Sequence, residues 1–123
     1  MIFNSKTKPI ICLDFDGVVN NYKGWRDEGF NVILDTPVQG TQEAIKKLRE
    51  KYTVVIHSVR CSHHGGRQSI VEYLEKYGIT VDGVTANKPL ASMYVDDKAI
   101  PFDGNWDRAL RRIKRFKQWS YED

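Results

Sequence analysis

The chain has 123 residues, enough for one compact core and too few for two, so a single domain over residues 1–123 is expected. Hydrophobic residues make up 41% and charged residues 28%, a balance that excludes a disordered or low-complexity chain. Nineteen Lys and Arg against 16 Asp and Glu leave a formal charge of +3, which suits an anionic ligand but is too small to require nucleic acid.

The amino-terminal stretch carries Lys6 and Lys8, and the apolar run after it is broken by Asp14 and Asp16, unlike a secretion signal. No stretch approaches the roughly 20 apolar residues of a membrane-spanning helix. Cys12 and Cys61 have no framework spacing. The expectation is a cytoplasmic protein with reduced thiols and no membrane partner.

Pro9-Ile10-Ile11-Cys12-Leu13 is a short continuous apolar run, the pattern of a central parallel strand covered on both faces, and it stops at Asp14. Residues 17–40 follow with little periodicity, a long connection of the kind that is usually functional, here a hairpin-like flap beside the site. Residues 41–51 place Ala44, Ile45 and Leu48 at helical spacing. Tyr52-Thr53-Val54-Val55-Ile56 is the second strand, ending near Ser58. Residues 67–77 form the next helix, with Ile70, Val71, Leu74 and Tyr77 on one face and Gly78 as its stop. Residues 81–85 read as a third strand and Met93-Tyr94-Val95 as a fourth, ending at Asp96. A last helix from about Trp106 carries Ala109, Leu110, Ile113 and Phe116 as its buried stripe. Alternating strands and helices predict a Rossmann-like, three-layer α/β/α sandwich around a central, mainly parallel sheet.

Three strands end in polar residues: Asp14 and Asp16, Ser58 and Arg60, Asp96 and Asp97. In open α/β sheets the ligand site lies beyond the carboxyl ends of the strands, so these groups converge there. Four neighbouring carboxylates repel unless a positive charge sits among them. A hard divalent cation with oxygen ligands answers that need, and Mg2+ suits a site that keeps waters for phosphate oxygens. Strand residues two apart face the same way, and Gly17 lets the chain turn around the site. One carboxylate can then attack while its neighbour handles the proton.

The stretch Leu13-Asp14-Phe15-Asp16-Gly17-Val18-Val19 resembles the first motif of the haloacid dehalogenase-like (HAD) hydrolase superfamily, whose members are mostly phosphatases. His57-Ser58-Val59-Arg60 resembles the second motif, Asn87-Lys88-Pro89 the third, and Tyr94-Val95-Asp96-Asp97 the fourth. The resemblance implies a HAD-like fold with a minimal cap. It also implies a Mg2+-dependent phosphohydrolase that cleaves a phosphate monoester through an aspartyl-phosphate at Asp14. Asp16 would be general acid and base and lend its backbone carbonyl to the metal. Ser58 would hold the transferring phosphoryl group, Lys88 would neutralise its charge, and Asp96 with Asp97 would complete the metal site. Lys88 stands close before Asp96, where much of the superfamily interposes a helix. A short extended return through residues 89–92 still allows Lys88 to reach the sheet edge. Capless members of the family often take bulky substrates or borrow a lid, which makes a nucleotide or nucleic-acid end phosphate a compatible substrate.

Arg60, His63, His64 and Arg67 lie where a loop over the carboxyl edge could contact a phosphorylated substrate. Cys61-Ser62-His63-His64 lacks the ligand pattern of a structural zinc site. The basic residues of the last helix, Arg108, Arg111, Arg112, Lys114, Arg115 and Lys117, read as a solvated face or as a nucleic-acid contact. Trp25 and Phe30 in the flap are substrate walls or simple anchors. Two other classes compete: a phospho-acceptor signalling domain, and a non-catalytic binding protein that retains the fold. A signalling receiver normally has an acidic pair after its first strand and its phosphorylated Asp on a later one, whereas here Asp-x-Asp-Gly opens the set.

Overall fold

The structure is a computed structural model and describes residues 7–119, so Lys6 lies outside the described residues. Strand β1 (Ile10–Asp14) is followed by helix α1 (Thr41–Leu48), strand β2 (Thr53–His57), helix α2 (Gly66–Lys76), strand β3 (Gly83–Thr85), strand β4 (Met93–Val95) and helix α3 (Trp106–Arg115). The sheet order is β3-β2-β1-β4, and each neighbouring pair runs parallel. This is a Rossmann-like α/β arrangement, as the alternating pattern predicts.

Register fixes which side chains share a face. Ile11 pairs with Val54 and Leu13 with Ile56, and Ile56 pairs in turn with Val84. These five are buried and form one core with Ile45 of α1 and Ile70, Tyr73 and Leu74 of α2. Each such aliphatic side chain, fully buried, contributes about 1.5–3 kcal/mol. Helix α1 places Glu43 in its first turn and Lys46 and Lys47 in its last, matching the helix dipole. Helix α2 ends as its sequence predicts. Gly78 takes φ 66°, its N–H donates to the Glu75 carbonyl, and Ile79 N–H reaches back to Leu74. That is the paired C-terminal bonding for which a glycine is preferred.

Helix α3 departs from the expected buried stripe. Asn105 caps it by accepting the Arg108 N–H at 2.9 Å, but only Ala109 is buried. Trp106, Leu110, Ile113 and Phe116 remain 40–67% exposed. The periodicity correctly signals an amphipathic helix, but periodicity alone says nothing of whether a surface exists to cover the stripe. Edge strand β4 is open too, with Met93, Tyr94 and Val95 all exposed.

Candidate active site

The parallel register brings the strand ends together: Asp14 stands beside His57, and His57 beside Thr85. Leu13 pairs with Val95, so Asp96 follows at the same edge. After β1 the chain turns tightly, with the Phe15 carbonyl accepting from the N–H groups of Val18, Val19 and Asn20. Gly17 adopts φ 90°, and a Cβ there would lie 2.1 Å from Asp97 Oδ2. Only glycine allows that approach.

Asp14, Asp96 and Asp97 each present an oxygen within 4.8 Å of the others. The Asp14 carboxyl is pushed up to about 8, first by burial, then by its hydrogen bond with Asp97 and by the charges of Asp96 and Asp97. Asp97 Oδ2 accepts from Gln118 Nε2 at 2.7 Å, whereas Asp97 Oδ1 is buried with no hydrogen-bond partner. Crowded carboxylates, one of them pushed well above its ordinary range, and a buried carboxylate oxygen without a partner fit a site suited to a positive charge. Oxygen-only donors fit a hard cation such as Mg2+.

A cavity of about 380 Å³ opens at this edge, lined by Asp14, Asp16, Ser58, Arg60, Lys88 and Asp96, by His57 and Val59 of the same stretch as Ser58, and by two residues the sequence did not single out, Lys98 and Tyr22. Trp25 and Phe30 of the flap line it as well. Their rings lie 5.1 Å apart, and Phe30 stacks on His63 at 3.8 Å. The flap, residues 17–40, contains no regular strand, but it is pinned at Asn20, which bridges to Asp16 and to Pro37.

Ser58 is buried, and its hydroxyl accepts from the Arg60 N–H at 3.1 Å, which leaves its proton to point elsewhere. Lys88 is exposed, with its Nζ 4.4 Å above the Tyr94 ring. The short return after Lys88 is held by Tyr94, whose hydroxyl donates to the Pro89 carbonyl at 2.6 Å and accepts from Ala91 N–H.

The four basic residues expected over the substrate divide. Arg60 is turned inward onto Asp16 and is 2% exposed. His63 is exposed, its ring stacked on Phe30 rather than forming part of the cavity wall, and His64 is exposed. Arg67 is directed elsewhere: its Nε donates to the Val84 carbonyl at 3.0 Å, and it borders a separate depression with Val71 and Leu74. Asn20 is a further polar residue that sequence reasoning missed. It is fully buried, donates to Asp16 Oδ1 at 2.9 Å and accepts from the Tyr73 hydroxyl at 3.0 Å. An Asn four residues after Asp16 carries no signal by type alone, since Asn is common in turns.

Neither the known family models nor the curated proteins include a match to this chain. Among solved structures, it is similar to a conserved protein of Bacteroides thetaiotaomicron, at 20% identity and a TM-score of 0.58, covering 95% of this chain and 100% of that one. It is similar to a chain of the Pnkp1/Rnl/Hen1 complex, at 19% identity and a TM-score of 0.53. A second structure, of the Pnkp1/Rnl/Hen1 RNA repair complex, gives 18% identity and a TM-score of 0.52. The chain spans 38% and 36% of those two larger chains. The fold is HAD-like.

Proposed function

We propose that this protein is a Mg2+-dependent phosphohydrolase that cleaves phosphate monoesters through an aspartyl-phosphate on Asp14. The observation that carries this reading is the meeting of Asp14, Asp96 and Asp97 at the carboxyl edge of the sheet, with Asp16 lining the same cavity. Asp14, Asp96, Asp97 and the backbone carbonyl of Asp16 would hold Mg2+. When bound, the ion would supply charge neutralisation to Asp14 and to the phosphoryl oxygens.

The chain's own groups account for the rest. An Asp14 oxygen attacks phosphorus as the ester P–O bond breaks, and Asp16 gives its proton to the departing oxygen. Asp16 then takes a proton from water as that water's oxygen attacks phosphorus and the bond to Asp14 breaks. Ser58 and Lys88 act on the phosphoryl oxygens, where preset donors and positive charge are worth most. Lys98 lies on the same wall and adds a second cation.

The aromatic wall of Tyr22, Trp25 and Phe30 supports a substrate with a flat leaving group, such as a nucleotide or a phosphorylated nucleic-acid end. The likeness to a chain of an RNA repair complex is in keeping with it. The free thiols of Cys12 and Cys61 are in keeping with a cytoplasmic location. No helix among the described residues is long and apolar enough to cross a membrane.

Steady-state phosphate release from p-nitrophenyl phosphate, with Mg2+ and with EDTA, tests the reaction. The expected result is metal-dependent turnover that Asp14→Asn removes. No release would favour a signalling acceptor or a binding protein. A panel of nucleotides, sugar phosphates and 3′- or 5′-phosphorylated oligonucleotides then ranks substrates.

A further inference from the structure

Arg60 carries the one charged side chain buried among the described residues. Its Nε donates to Asp16 Oδ2 at 2.7 Å and its Nη2 to Asp16 Oδ1 at 3.2 Å, the two-pronged geometry that a planar guanidinium favours. Its Nη1 donates to two flap carbonyls, Phe30 at 3.1 Å and Val32 at 2.9 Å. Tyr22 lies against the guanidinium, with its ring centre 5.9 Å from Cζ. The backbone is fixed as well. Arg60 N–H is held by Ser58 Oγ, and a Cβ on Gly66 would sit 1.7 Å from the Arg60 carbonyl.

A carboxylate offers about four lone-pair positions. On Asp16, Oδ1 accepts from Arg60 Nη2 and Asn20 Nδ2, and Oδ2 accepts from Arg60 Nε. Three positions are filled and one, on Oδ2, is left for a travelling proton. The same guanidinium sets the distance between Asp16 and the flap segment that bears Phe30.

We propose that Arg60 is a positioning residue: it presents Asp16 Oδ2 as the proton-carrying oxygen and couples that placement to the seating of the flap. This rests on the phosphohydrolase reading. Arg60 does not touch the phosphate in this role. It acts through Asp16, which separates it from a substrate-binding cation and from a residue that only holds the fold together.

A double-mutant cycle on kcat for p-nitrophenyl phosphate tests the proposal, with thermal melting run on every variant. Asp16→Asn lowers kcat by about 10²–10⁴-fold, the usual contribution of a general acid and base. Arg60→Gln lowers kcat by about 10–100-fold with KM held within about twofold, as a small misplacement of a reacting group does. In the Asp16→Asn background, Arg60→Gln costs no more than about a further twofold. Arg60→Lys keeps the charge but not the fork and falls between wild type and Arg60→Gln. It carries the same cycle if the Gln variant does not fold. Losses that multiply independently, or a raised KM at unchanged kcat, overturn the proposal while leaving the hydrolase reading intact. A wild type that releases no phosphate overturns both.

Discussion

Asp14 combines burial, two acidic neighbours and the end of a central strand, and each of these bears on its reactivity. Asp14→Asn keeps the shape and removes the attacking oxygen, so kcat falls by about a thousandfold or more with the melting temperature unchanged or raised. Gly17 is a second single-residue test. With φ 90° and Asp97 packed against it, Gly17→Ala displaces the Asp97 carboxylate. Titration calorimetry should register this as weakened Mg2+ binding. The acidic residues were legible in the sequence because strand ends and spacing announce them. Arg60 was not legible as a partner of Asp16, since a contact across 44 residues depends on how the chain folds back, and Asn20, only four residues on, carries no signal by residue type.

Among the elements, α2 and α3 make an instructive pair because both show an apolar stripe at helical spacing. In α2 that stripe faces the sheet, with Ile70 and Leu74 buried; in α3 it faces outward, with Leu110 and Ile113 more than half exposed. Leu74→Ala therefore costs about 2–5 kcal/mol, whereas Leu110→Ser stays within about 0.5 kcal/mol, both read by chemical denaturation. Equal losses would mean that α3 has a buried face after all. The strands and the first two helices could be read in advance because their patterns agree with a sheet that needs covering. The burial of α3 could not, because nothing local specifies its docking surface. The Lys88 return, by contrast, is held by a local contact five residues apart, the Tyr94 hydroxyl on the Pro89 carbonyl.

For the whole molecule, the acidic edge links stability to pH and metal. The Asp14 carboxyl lies at about 8 in the fold against 3.8 ordinarily, so the folded chain holds a proton that the unfolded chain releases. This stabilising contribution is complete below pH 3.8 and is lost as pH rises through about 8. In EDTA the melting temperature should therefore fall across that window, to an extent that Asp14→Asn removes. Added Mg2+ binds the ionised form and should reverse the fall near neutral pH. A melting temperature indifferent to Mg2+ at pH 8 would argue against a metal among these carboxylates. The covalent step can be observed directly. Protein turning over p-nitrophenyl phosphate with Mg2+ is quenched with borohydride, which reduces an aspartyl-phosphate to homoserine, and then mapped by peptide mass spectrometry. The account predicts homoserine at position 14 and at no other aspartate; sustained phosphate release with Asp14 unmodified, or reduction at a different carboxylate, would contradict it.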